Sequence, residues 1–153
     1  MDNFENATFE TLLIPNCGCP QRWAIGEGIG AHLMSQPELV RDMVRQTKAR
    51  ATDIPCSIKI RIHKDVRETV EFVKRAEFAG VDFITVHGRR KWQKSSVPVD
   101  VEAIRLVREN ASVPIIANGG VFSLKEASGF ARDTGVVGVM VCCAKYAGHC
   151  SPI

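Results

Sequence analysis

The 153-residue chain has no run of 18 apolar residues, so it offers no sequence suited to crossing a bilayer as a helix. Its longest apolar stretch, Val136 to Ala144, is far too short for that task. No Lys or Arg precedes Arg22, and Asp2, Glu5 and Glu10 occupy the region where a secretory signal needs positive charge followed by an apolar segment. A cytoplasmic location without membrane attachment is expected. Aromatic residues are scarce at 7%, and charge of one sign is not in large excess, with 20 Lys+Arg against 17 Asp+Glu. A net charge of +3 excludes a strongly basic autonomous nucleic-acid binder while permitting weak phosphate contacts.

What is present is a globular composition, 45% hydrophobic and 24% charged, of the length of one domain. The six cysteines, at 17, 19, 56, 142, 143 and 150, read as free or catalytic thiols in a reducing compartment rather than as a disulfide framework. Asn6-Ala7-Thr8 matches a glycosylation acceptor but carries no weight without export.

Short β-like runs alternate with amphipathic stretches. The pattern predicts strands at Leu12 to Cys17, Ser57 to Ile62, Asp82 to His87, Val113 to Ala117 and Val136 to Val141. Helices are expected at Pro37 to Arg50, Val66 to Ala79, Val101 to Asn110 and Leu124 to Arg132, with Ser123 as an N-cap and Gly80 as a left-handed stop. Strands separated by helices in this rhythm lie parallel. An open doubly wound sheet and a (β/α)8 barrel share the pattern. At about 31 residues per barrel unit the chain holds about five of eight units, a partial TIM barrel.

In Ser57 to Ile62, Ser57, Lys59 and Arg61 share one face and three isoleucines the other, so one face meets something polar. Polar residues also follow other strands, at Asn16-Cys17-Gly18-Cys19-Pro20, His87-Gly88-Arg89 and Asn118-Gly119-Gly120. In a barrel the carboxyl ends of the strands carry the active site. Asn118-Gly119-Gly120 leads through a loop to a helix N-terminus and suits a phosphate, although a Gly-Gly pair also makes an ordinary turn. His87 and Arg89 add a donor and a fixed positive charge. Lys59 in mid-strand calls for an anionic or carbonyl-rich neighbour. Cys19, between Gly18 and Pro20, is either a proton donor or an activated nucleophile, and the residues do not choose. Metal binding by Cys17 and Cys19, or by Cys142, Cys143, His149 and Cys150, lacks the paired spacing of structural zinc sites. Gly26, Gly28 and Gly30 lack the strand and the full spacing of a dinucleotide motif and read as a flexible loop.

Seven ordered segments carry a resemblance: Asn16-Cys17-Gly18-Cys19-Pro20-Gln21, Gly28-x-Gly30 with Leu33-Met34, Pro37-Glu38-Leu39-Val40, Ser57-Ile58-Lys59-Ile60-Arg61, Val86-His87-Gly88-Arg89, Ile116-Ala117-Asn118-Gly119 and Gly138-Val139-Met140-Val141. Together they resemble the tRNA-dihydrouridine synthases, and most closely the eukaryotic branch acting at positions 20a and 20b. The resemblance implies an FMN-holding barrel that uses NADPH to reduce uridine in the tRNA D-loop. It further implies Cys19 as proton donor to C5 of uracil, Lys59 and His87 beside the flavin, and Asn118, Gly119 and Gly120 at its phosphate.

There are departures. The family's first strands, which carry flavin contacts including a glutamine, have no counterpart before Asn16. Gly120 stands where Asp is usual, and Cys142-Cys143-Ala144-Lys145 replaces the Ala-Arg-Gly that completes the phosphate site. The helical tRNA-binding domain has no counterpart either. The expectation is therefore a variant truncated at both ends, with a divergent segment 1–15, a partial FMN-binding barrel 16–141 and a divergent tail 142–153. Open barrel edges favour self-association. Two functions stay in view: a flavin-dependent tRNA-uridine reductase, and a non-catalytic chain that at most binds RNA or a partner.

Overall fold

In the computed structural model, residues 14–141 are described. They form helix α1 (Arg22–Gly26), a 3₁₀ helix (Gly30–Ser35), α2 (Pro37–Arg50), β1 (Ser57–Arg61), α3 (Val66–Phe78), β2 (Phe83–His87), α4 (Val101–Asn110), β3 (Ile115–Asn118), α5 (Leu124–Thr134) and β4 (Gly138–Met140). The helix starts follow from local chemistry. Asp65, Asp100 and Ser123 each accept a backbone N–H of their own first turn, from Arg67, Ala103 and Glu126. Pro37 opens α2, where a missing N–H costs nothing. Gly80 and Gly135 end α3 and α5 at φ 96° and 70°, backbone angles that disfavour a side chain.

The four strands are all parallel and lie in the order β1-β2-β3-β4. A doubly wound sheet reverses its strand order at a switch point, whereas here each strand lies beside its predecessor. Right-handed crossovers in one direction put every helix on the same face, and α2, α3, α4 and α5 pack in succession. That is the arc of a (β/α)8 barrel. The fifth strand expected, Leu12 to Cys17, is represented among the described residues by one parallel bridge, Asn16 to Lys59; residues 12 and 13 lie outside them. The glycine-rich stretch after Pro20 folds into α1 and the 3₁₀ helix.

The sheet face toward the helices is apolar. Ile58, Ile60, Ile84, Val86, Ile115 and Ala117 are at most 1% exposed and share one core with Val40, Val73, Ile104 and Val107 from the helices. Each isoleucine and valine among them contributes about 1.5–3 kcal/mol by leaving water. Alternate residues face inward: Lys59 pairs with Thr85 and Thr85 with Ile116, while Arg61 pairs with His87, His87 with Asn118 and Asn118 with Met140. Among the described residues no helix is long and apolar enough to cross a membrane.

Candidate active site at the carboxyl ends of the strands

None of the ten inward residues of β1 to β4 is acidic: Ser57, Lys59 and Arg61, then Phe83, Thr85 and His87, then Ile116 and Asn118, then Gly138 and Met140. Three buried polar atoms of this face, Ser57 Oγ, Thr85 Oγ1 and His87 Nδ1, have no hydrogen-bond partner among the described residues. Buried polar atoms are normally satisfied, so three orphans on one cationic face mark a surface built to meet polar groups from elsewhere.

The loop after Asn16 places Cys19 beside β1. Asn16 Oδ1 accepts the N–H groups of Gly18 and Cys19 at 2.9 and 3.0 Å, a local turn that this side chain favours. Cys17 N–H donates to the Lys59 carbonyl at 2.8 Å, and Lys59 N–H to that of Pro15 at 3.2 Å, so the segment runs alongside the strand. The Cys19 carbonyl accepts from Ala31 N–H at 2.8 Å. Gly30, at φ 61°, lies so close that a Cβ there would stand 2.7 Å from the Cys19 carbonyl oxygen. The two cysteines of this loop differ sharply. Cys17 is fully buried, and burial pushes its thiol up to about 12; Cys19 is half-buried.

Arg61, at the end of β1, donates from Nε to the Gly18 carbonyl at 2.8 Å and from Nη1 to the Arg90 carbonyl at 3.0 Å. Burial and the nearby charge of Arg89 draw its pKa down, partly opposed by Cys19. Arg89 is only 7% exposed, and its Nε donates to the Val97 carbonyl. His87 lies among these charges. Burial first, then Arg61, Lys59 and Arg89, hold its pKa down to about 3, so the ring is neutral near pH 7.

Asn118 spends its side-chain N–H on the Met140 carbonyl at 2.6 Å, fastening β3 to β4. Gly119 follows at φ 110°, and a Cβ there would meet the His87 ring at 3.1 Å. Gly120, at φ 70°, faces Val99 and the Arg89 guanidinium in the same way. A cavity of about 430 Å³ opens here, lined by Arg89, Val99, Gly119, Gly120, Phe122 and Glu126. The N-terminus of α5 is not a vacant anion site. Ser123 Oγ accepts from Glu126 N–H, and the Glu126 carboxylate accepts from Phe122 N–H at 2.8 Å. That carboxylate already complements the positive end of the helix.

The six residues expected at the site lie on the inward face of β1 to β3 and in the loops beside their carboxyl ends. Lys59, His87 and Asn118 come from adjacent strands, Gly119 and Gly120 from the loop after β3, and Cys19 from the loop pinned to β1. Asn16 showed in the sequence only as a polar strand end and Gly30 only as part of a loop, while Val99 was not marked; the parts of Gly30 and Val99 depend on contacts with other segments. Arg61 showed in the sequence only as part of a polar face, and Arg89 only as a charge near a phosphate. Cys142, Cys143, His149 and Cys150, whose spacing argued against a zinc site, lie outside the described residues. Among the described residues no three His, Cys, Asp or Glu side chains gather to hold a metal.

The family model for dihydrouridine synthase (Dus) matches residues 14–147. The chain belongs to the dihydrouridine synthase family. A human tRNA-dihydrouridine(20a/20b) synthase-like protein is 51% identical over 128 residues, a match covering 82% of this chain and 40% of the relative. The tRNA-dihydrouridine(20a/20b) synthase of Schizosaccharomyces pombe is 45% identical over 126 residues, covering 82% and 39% respectively. The chain thus spans about two fifths of the length of these Dus relatives, shown by coverage of 40% and 39%. Among solved structures, a pyruvate-complexed dihydrodipicolinate synthase from Acinetobacter baumannii aligns at TM-score 0.60 and 15% identity, covering 89% of this chain and 56% of that one. That likeness carries the barrel fold and nothing more.

Proposed function

We propose that this Dus chain carries the flavin-facing part of a reductase that converts uridine in the tRNA D-loop to dihydrouridine, at positions 20a and 20b by its likeness to the relatives so named. The observation that supports this most is the inward face, where Lys59, Arg61, Arg89 and a neutral His87 border three unpartnered buried polar atoms with no inward acid on the strands. Such a surface fits an anionic, carbonyl-rich group such as FMN. When bound and reduced by NADPH, FMN supplies the hydride for C6 of uracil.

The chain's own residues take the remaining roles. Lys59 and His87 border the isoalloxazine, His87 able to donate from one ring nitrogen and accept at the other. Gly119 and Gly120 leave backbone open beside Arg89, which suits the phosphate; the carboxylate of Glu126 occupies the neighbouring helix end. Asn118 holds β3 and β4 together beneath that loop. Cys19 holds the proton for C5: its backbone is pinned at both N–H and C=O while its thiol is half-exposed. The basic turn Arg90-Lys91-Trp92-Gln93-Lys94, with Trp92 60% exposed, offers charge and a stacking face to RNA at the same end of the sheet.

The test is the visible spectrum of the purified chain after incubation with FMN and gel filtration, followed by NADPH and then undermodified tRNA. Retained absorbance near about 450 nm, bleached by NADPH and restored by tRNA, is the expected result. A colourless product would leave the non-catalytic reading in its place.

A further inference from the structure

The Arg61 guanidinium is half-buried and forms no ion pair with a carboxylate among the described residues; its bonds go to two backbone carbonyls in different loops. One is Gly18 O, 43 residues earlier, and the other Arg90 O, 29 residues later. Burying a charge is costly, and a neutral side chain can bond one carbonyl. A planar guanidinium can bridge two at a fixed angle, which a lone amide or ammonium does less well.

Both ends of this bridge are built. The Gly18 carbonyl belongs to the peptide unit whose N–H, that of Cys19, donates to Asn16 Oδ1 at 3.0 Å. That unit is gripped on both edges, and the Cys19 carbonyl beyond it is held by Ala31 N–H at 2.8 Å. At the other end, Arg90 and Gln93 close a turn on themselves. Gln93 N–H donates to Arg90 O at 3.1 Å, and the Gln93 side-chain oxygen accepts from Arg90 N–H at 2.7 Å. The Arg61 side chain joins these two turns.

We propose that Arg61 is a positioning residue: by tying the Gly18 carbonyl to the Arg90 carbonyl it fixes the place of Cys19 relative to the basic turn 90–94. What the strut serves rests on Cys19 being the proton donor; the strut itself does not. Its consequence is that the thiol and the turn facing the RNA keep one geometry, so that a strand seated on the turn meets Cys19 at a set distance.

Two substitutions separate the halves of the bridge. In Arg61→Gln the amide nitrogen occupies the position of Nε along the side chain, so the Gly18 bond is retained and the Arg90 bond is lost. Arg61→Met keeps the stem and loses both. Amide hydrogen exchange of the full 153-residue chain, followed residue by residue by NMR, reads each turn directly. In Arg61→Met, exchange at Gly18, Cys19, Ala31 and Gln93 is expected to rise at least about tenfold, because a bond to a charged donor is lost at each end. In Arg61→Gln, Gln93 rises similarly while Gly18, Cys19 and Ala31 stay within about threefold of the parent. Iodoacetamide labelling of the fully buried Cys17 and Cys56 reports any loss of fold. If Arg61→Met exposes them, the Arg61→Gln pattern decides.

Unchanged exchange at Gln93 in Arg61→Gln overturns the proposal, as does equal loosening of both turns in the two variants. In flavin-loaded protein, Arg61→Met is expected to slow uridine reduction more than it slows flavin reduction by NADPH, with Arg61→Gln recovering part of the difference. If the parent reduces no uridine, the proton-donor reading fails while the exchange result stands or falls separately.

Discussion

The carbonyl oxygen of Cys19 and the α-carbon of Gly30 approach so closely that a single added methyl on Gly30 would lie 2.7 Å from that oxygen and 3.0 Å from the Cys19 Cβ. Gly30 also sits at φ 61°, and the next residue, Ala31, donates its N–H to the same oxygen. The 3₁₀ helix and the Cys19 loop are therefore fitted to each other without room for a side chain.

Gly30→Ala should cost about 1–3 kcal/mol, from the left-handed backbone and the collision with a carbonyl that cannot move freely. Denaturant melts measure the loss. Gly28→Ala has the same sign of φ, 74°, but open space around it, and should cost less, on the order of 1 kcal/mol. Equal losses at the two sites would mean that contact with Cys19 adds nothing.

Among the cysteines of the described residues, alkylation near neutral pH should mark Cys19 and spare Cys17 and Cys56. Cys17 and Cys56 are fully buried, and burial raises both thiols above their ordinary range, Cys17 to about 12. Peptide mapping after brief iodoacetamide treatment checks this, and early label on Cys17 would contradict the burial described.

Burial, with the charges of Arg61, Lys59 and Arg89, holds the His87 pKa in the folded chain down to about 3, well below the ordinary imidazole range. Its folded pKa is depressed, so above about 6.5 both states are neutral and the ring imposes no penalty. As pH falls below that value the unfolded chain takes up a proton the folded one refuses, and stability drops until about 3. The slope is at most about 1.4 kcal/mol per pH unit, reduced by solvent screening because the ring is not fully enclosed. Urea melts between pH 7 and 5 should show a shallower decline for His87→Gln than for the parent. An anion seated against the ring should raise the folded pKa and lessen the parent's acid loss.

Gly119→Ala should cost about 1–3 kcal/mol of stability, because φ 110° suits few side chains and the new methyl would meet the His87 ring at 3.1 Å. If the loop lies against the flavin phosphate, the variant should also lose FMN absorbance on gel filtration at concentrations where the parent keeps it. Retained colour with lowered stability would confine Gly119 to a structural part.

The sequence was informative where the cause is local. Helices Pro37–Arg50 and Val101–Asn110 lie where their amphipathic periodicity placed them. Ser123 caps α5 and Gly80 follows α3 as expected. Strand edges were less legible. The run expected from Val113 begins pairing as β3 at Ile115, after Pro114, which has no N–H to give; the run expected over Val136 to Val141 pairs as β4 only at Gly138–Met140. Helix α1, five residues long, was missed because the glycines at and after its end read as loop. At the site, Lys59 and His87 were visible from their breaks in apolar strands. Arg61's bonds span 43 and 29 residues, and no local pattern carries such information.

The strand order described above also bears on how the chain is made. Since β2, β3 and β4 each settle against the strand synthesised just before, every new unit leaving the ribosome finds its neighbour already in place. No pairing within this sheet has to wait for a strand still to be translated and inserted between two others. The arc can grow in the direction of translation, with the newest strand as its exposed margin at each stage.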